Sequence, residues 1–238
     1  MVFLVALTLL AINPPAFAQQ EPVRAVLELF TSQGCSSSPM ADEVLATLAK
    51  DRSLITLSMP VDYWDYTGWK DTFGSPVFSA RQRAYADGRG DRQVFTPQLV
   101  VNGLSSAIGS KRRAVAAAID ETRRRPDVMS ARVKIAEAGG RISINVVSSA
   151  DTQGELWLAA LASSRTVAVE RGENAHRKLS YVNVVRKLTR LGTIQEGVND
   201  LTVARADVVP ADADNYVVLV QRRARGKPGA ILGAAVAH

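Results

Sequence analysis

Cysteine is nearly missing from this chain of 238 residues, where Cys35 is the only one. One thiol excludes an internal disulfide, so the packed core has to hold the fold unaided. Histidine is almost as scarce, with His176 and His238 alone, which excludes a histidine-rich metal site. After residue 20 no apolar run reaches the roughly 20 residues that a membrane-spanning helix needs. A concentrated basic face is missing too. The 29 Lys and Arg against 23 Asp and Glu give a pI near 9.7, but outside Arg123-Arg124-Arg125 and the stretch from Arg222 to Lys227 they are scattered. Neither cluster is interleaved with aromatics, which speaks against nucleic-acid binding; both read as the solvated ends of a helix and a strand.

What is present begins with Val2 to Ile12, an apolar and small-residue run of signal-peptide length, followed by Ala16-Phe17-Ala18 ahead of Gln19 in the small-x-small form of a cleavage site. Residues 1–18 are expected to be a signal peptide. The remaining 238 − 18 = 220 residues suit one large domain or two modest ones in a periplasmic or secreted protein. In an oxidising compartment a single thiol stands out.

That thiol lies in the stretch around which the chain is organised. Ala25 to Phe30 is strand-like, a polar turn with Gly34 follows, and Pro39 opens a run with helical apolar spacing. Cys35 therefore sits where a strand hands over to a helix, and the free N–H groups and positive dipole end of a helix start stabilise a thiolate. A dithiol redox centre needs a second thiol three positions on to resolve the mixed disulfide. Ser38 occupies that position, so the chain carries half of such a centre.

The helix is expected over Pro39 to Lys50, with Asp42 and Glu43 complementing its dipole, and Leu54 to Val61 as a strand buried on both faces; together they make a βαβ unit. Tyr63, Trp64, Tyr66 and Trp69 then share a short loop with Asp62, Asp65, Lys70 and Asp71. Ligand sites of open α/β sheets lie beyond strand C-termini. The loop reads either as a wall of the Cys35 site, with Tyr63, Trp64, Asp65 and Trp69 as binding residues and Asp62 or Asp65 relaying protons, or as an aromatic minicore over the sheet edge. Ser75-Pro76-Val77 starts a polar amphipathic helix ending near Gly88. Thr96-Pro97 precedes Leu99–Val101, and Asn102-Gly103 turns that strand back into Leu104–Ile108. Ser110 is read as the N-cap of a helix from Lys111 to about Arg125.

Past Pro126 the pattern becomes strand-rich. Ala131–Ala136 and Arg141–Val147 form a hairpin; Glu155–Ala162, Thr166–Glu170, Ser180–Lys187, Leu201–Ala204, Tyr216–Gln221 and Ala230–Ala237 supply further strands of a small sandwich. The polar loop from Glu170 to Arg177 is read as a turn, or as a flap that folds back over Cys35 and brings the charge of Arg171 or His176 to its thiolate.

The segments ELFTSQGCSSS-P, VDYWDYTGWKD, ARQRAYA, TPQLVVNG and RGENAHRKLSYVNVVRKL resemble a family of predicted secreted bacterial proteins of unknown function with a thioredoxin-like domain. The likeness covers nearly all of the mature chain. It implies an α/β thioredoxin-like N-terminal domain at residues 22–126, followed by a mostly β, sandwich-like C-terminal domain at 127–238, and a cis-proline facing the active cysteine. By position it carries over Cys35, Thr96 and Pro97. The family's usual CSSCP is CSSSP here, with Ser38 in place of the second cysteine.

Two functions are expected from these residues. One is a monothiol oxidoreductase using Cys35, Ser38, Thr96 and Pro97, with no cofactor and with a thiol-bearing protein or glutathione as partner, forming mixed disulfides that Ser38 cannot resolve. The other is a non-catalytic binding or accessory module of the envelope that keeps the fold and uses the groove. A third reading is Cu(I) handling by the soft ligands Cys35 and Met40, with Met59.

Overall fold

Strand β1 (Ala25–Thr31) is buried along its whole length, and the computed structural model, which describes residues 22–149 and 153–237, shows why. Ala25, Leu27 and Leu29 face a layer containing helices α1 (Ser38–Leu48) and α3 (Arg112–Thr122), while Val26 and Phe30 face α2 (Pro76–Arg89). With both faces covered, the strand reads as a continuous apolar run. β2 (Leu54–Pro60) lies parallel to β1 and is equally buried, and β3 (Gln98–Val101) lies antiparallel on the other side, paired with β4 (Ser105–Ile108). The expected leader at residues 1–18 lies outside the described residues. Among those described, no helix is long and apolar enough to cross a membrane.

The strand-rich half does not stand apart. After β5 (Arg132–Ala138) and β6 (Arg141–Ser148) come two long strands, β7 (Gly154–Ala168) and β8 (Lys178–Ile194). The chain then runs through β9 (Gly197–Ala204), the short α4 (Arg205–Val208), β10 (Asn215–Ala224) and β11 (Lys227–Val236). β8 joins β2 through a parallel pairing at Ser58 and Val184, so one eight-stranded sheet runs in the order β11-β10-β7-β8-β2-β1-β3-β4 across the boundary expected at residue 126. The sandwich is made by the three-stranded sheet β5-β6-β9. Ile142, Ile144 and Val146 of β6 pack there against Leu156 and Leu158 of β7 and Val218 and Val220 of β10. Glu155–Ala162 and Thr166–Glu170, expected as two strands, are one: the polar Ser163-Ser164-Arg165 between them stays extended because β8 pairs with it.

Two further details differ from expectation. The N-cap of α3 is Lys111, with no side-chain cap, rather than Ser110. Asp42 is not a solvated partner of the α1 dipole but a buried group. The Asn102-Gly103 turn is as expected, with φ of +50° and +70°. It also serves as a junction: Asn102 exchanges bonds with Val26 (N to Val26 O 2.9 Å, Val26 N to Oδ1 2.8 Å) and its carbonyl accepts Ile231 N at 3.0 Å from β11. A Cβ on Gly103 would collide with the carbonyl oxygen of Gly229, so this approach demands glycine.

Candidate functional site

β1 delivers the chain into a tight turn at its C-terminal end. Cys35 N donates to Ser32 O at 3.2 Å, Ser38 N to Cys35 O at 3.1 Å, and Ser32 N to Ser38 Oγ at 3.3 Å. Ser38, wholly buried, thus helps to hold the turn by accepting at its hydroxyl oxygen. A Cβ on Gly34 would come within 3.0 Å of Trp64 and Thr67, so glycine lets the aromatic loop lie directly on the turn.

Cys35 is 3% exposed. Its Sγ lies 3.2 Å from Ser37 Oγ and 3.7 Å from the carbonyl of Thr96, whose peptide bond to Pro97 is cis. Burial pushes the thiol pKa up, but hydrogen bonds from the side chains of Ser37, Ser38 and Thr96, and from the Ser37 backbone, outweigh it and hold the group below its ordinary value. The four residues expected to be catalytic, Cys35, Ser38, Thr96 and Pro97, therefore meet in one place.

The aromatic loop closes the other side. Trp64 Nε1 donates to Thr96 Oγ1 at 2.7 Å, and Tyr63 Oη to Gln82 Oε1 at 3.1 Å. Burial, with a contribution from the Cys35 charge, pushes the Tyr63 phenol up to about 12. Trp69 and Asp65 act further back: Trp69 Nε1 donates to Gln33 Oε1 at 2.8 Å and Asp65 Oδ1 accepts Asp71 N at 3.0 Å, both fastening the loop to the turn and to itself. Asp62 is engaged by Ser79 Oγ. Of the two aspartates expected as a proton relay, Asp62 ties the loop to α2 and Asp65 ties the loop to itself. Tyr66 stacks on Trp64 (centroids 6.1 Å, 15°) and is 80% exposed. Met59 is sealed in the α2 layer, while Met40 is 64% exposed on α1, which withdraws Met59 from any metal site at Cys35.

The polar loop between β7 and β8 does fold back over the turn, but not through Arg171 or His176. Asn174, with no exposed surface, donates from Nδ2 to Gln33 O at 2.9 Å and to Cys35 O at 3.0 Å, and its Oδ1 accepts Arg177 Nη1 at 2.7 Å. Glu173 Oε2 accepts Ser36 N at 2.9 Å. Sequence reasoning singled out the loop and missed these two residues, because Asn and Glu in a polar stretch are indistinguishable from solvated turn residues until their partners, far off in the chain, are known.

Behind the turn lie two buried carboxyl groups. Asp71 accepts Gln33 N at 2.8 Å and Phe73 N at 2.9 Å; Asp42 Oδ2 accepts Thr31 Oγ1 at 3.1 Å, and its Oδ1 finds no partner among the described residues. Burial raises both pKa values above the usual 3.8, that of Asp42 far above, with repulsion added from Asp71 and Glu43 at Asp42 and from Asp65 at Asp71. A carboxyl whose folded pKa is raised supports the fold below its unfolded pKa and ceases to as pH rises through the folded value. Asp42→Asn is accordingly expected to flatten the dependence of the melting temperature on pH above the unfolded carboxyl value of about 4. An unchanged slope in calorimetry would mean that Asp42 is ionised and solvated.

Comparison with known proteins places the chain in a family. A model described as "Protein of unknown function (DUF1223)" matches residues 26–221, and the chain belongs to that family. The X-ray crystal structure of protein AGR_C_4864 from Agrobacterium tumefaciens is similar, with a TM-score of 0.82 and 30% identity over 92% of this chain and 95% of that one. No curated protein matches.

Proposed function

We propose that this DUF1223 protein carries out monothiol thiol–disulfide exchange through Cys35. The observation that carries the reading is the setting of Sγ, 3.2 Å from Ser37 Oγ and against the cis Thr96–Pro97 bond at the start of α1, with its pKa lowered. The order β1-α1-β2-α2-β3-β4-α3, with a cis-proline against the cysteine turn, supports a thioredoxin-like reading of the N-terminal half. The chemistry follows from the residues. The Cys35 thiolate attacks one sulfur of a partner disulfide; a Cys35–S bond forms, the partner S–S bond breaks, and the departing thiolate takes a proton from water. Cys35 is oxidised as the other partner sulfur is reduced to a thiol. Ser38 cannot attack the mixed disulfide, so it persists until an external thiol releases it, a behaviour suited to an exported protein in an oxidising compartment.

The test is the rate of Cys35 alkylation by iodoacetamide from about pH 4 to 10, read by intact mass, with Cys35→Ser as the blank. The expected inflection lies below the free-cysteine value of about 8.5. An inflection at or above it, or no reaction, overturns the proposal and favours a second reading, a non-catalytic binding module. That reading draws on the contrast between the 3% exposure of Cys35 and the 80% and 64% exposure of Tyr66 and Met40.

A further inference from the structure

We infer that Glu173 selects the partner by charge, making the Cys35 site favour cationic or neutral disulfides over anionic ones such as oxidised glutathione; this rests on the exchange reading above. The carboxylate reaches the cysteine turn from the distant β7–β8 loop, its Oε2 2.9 Å from the amide of Ser36, the residue directly after Cys35. The approach is anchored. Asn174 beside it is wholly buried and bonded to the carbonyls of both Gln33 and Cys35, and Arg177 holds Asn174 in turn. Gly172 lies on the aromatic loop, where an added Cβ would stand 3.3 Å from that of Trp69.

Two consequences follow for an incoming disulfide. The Ser36 N–H, a donor at the helix start that would otherwise welcome a carboxylate of the partner, is already occupied. A fixed negative charge also stands at the residue next to Cys35 in the chain. The whole chain carries a formal charge of +6, whose long-range field draws anions in, so the exclusion is local and belongs to this residue. In the step itself the Cys35 thiolate displaces one half of the reagent disulfide as a thiolate that takes a proton from water; only the charge on the reagent arms changes between partners.

The experiment compares second-order rates of mixed-disulfide formation, by intact mass at low ionic strength, for cystamine (cationic) and oxidised glutathione (anionic). It uses the wild-type protein and Glu173→Gln, which keeps an oxygen acceptor for Ser36. Taking the ratio of the two rates cancels any change in thiol nucleophilicity. A unit charge about 6 Å away in water changes each rate about threefold in opposite senses, so the cystamine-to-glutathione ratio is expected to fall roughly tenfold in the variant. Raising the salt concentration is expected to narrow the difference in this ratio between wild type and variant, because screening weakens the field of Glu173. A ratio that the substitution does not move at low salt, with both reagents still reacting, overturns the inference and leaves the exchange reading standing. A wild-type thiol inert to both reagents overturns the exchange reading, and the charge selection with it.

Discussion

Replacing Arg81 with methionine is expected to cost about 3–5 kcal/mol of folding stability and to lower the melting temperature by roughly 10 °C. Arg81 stands in α2 within the apolar layer, and its Nε and Nη2 reach Glu28 Oε1 in the middle of β1 at 3.0 and 2.7 Å. Nη2 also donates to Tyr85 Oη at 2.8 Å and to Gln221 Oε1 in β10 at 2.9 Å, and Gln221 Nε2 closes the circuit to Tyr85 Oη at 2.7 Å and Gly229 O at 2.9 Å. The side chains of the ion pair are only 7% and 2% exposed. Removing the guanidinium leaves the Glu28 carboxylate buried without a counter-charge, which costs far more than the pair contributes in net terms. The control is therefore the double variant Glu28→Leu with Arg81→Met, which is expected to recover most of the loss in urea or thermal unfolding. A single variant within about 1 kcal/mol of wild type would show that water reaches Glu28 and that the pair behaves as a surface bridge.

Such a network shows where reading the sequence stops. Strands β1 and β2 were legible because uninterrupted apolar runs have few other solutions, and Cys35 was legible as a strand-to-helix residue because Gly34 and Pro39 bracket it. Asn102-Gly103 announced its turn for the same local reason. Arg81 looked like one more cation on a polar helix, since nothing nearby in sequence reveals that Glu28 and Gln221 close around it. The joining of β8 to β2 rests on a pairing at Ser58 and Val184, too small a feature to leave a pattern. At the site, Cys35, Ser38, Thr96 and Pro97 were legible as a motif. Trp69 and Asp65, read either as part of a binding wall or as part of a packed aromatic loop, fasten the loop to the cysteine turn and to itself. Local signals set the elements; the partners that tie them lie far off in the chain, beyond the reach of periodicity.

Asn174 is where that long-range tie meets the chemistry, and Asn174→Ala is expected to change both stability and thiol reactivity. The truncation leaves the carbonyl of Gln33 without the partner it has now, while that of Cys35 keeps the Ser38 amide and the exposed Arg177 turns to water. At about 1–3 kcal/mol for a buried polar group left unpaired, a loss of about 1–3 kcal/mol follows. The chemical consequence is separate. Ser37 and Ser38 hold down the Cys35 pKa against burial only while the turn presents them to Sγ, and Asn174 fixes the backbone on either side of Gly34. Loosening it is expected to move the alkylation inflection up toward the free value of about 8.5. Linkage gives an independent check. A thiol with a depressed folded pKa contributes stability above its unfolded pKa and loses it as pH falls through the folded value, so the stability gap between wild type and Asn174→Ala should be wider above about pH 8.5 than at mildly acidic pH. Arg177→Ala spares both carbonyl bonds and should leave the inflection close to that of the wild type. If Asn174→Ala lowered the melting temperature while the inflection stayed in place, Asn174 would be a brace for the β7–β8 loop alone, and the low pKa of Cys35 would be owed wholly to its immediate neighbours on α1 and at Thr96.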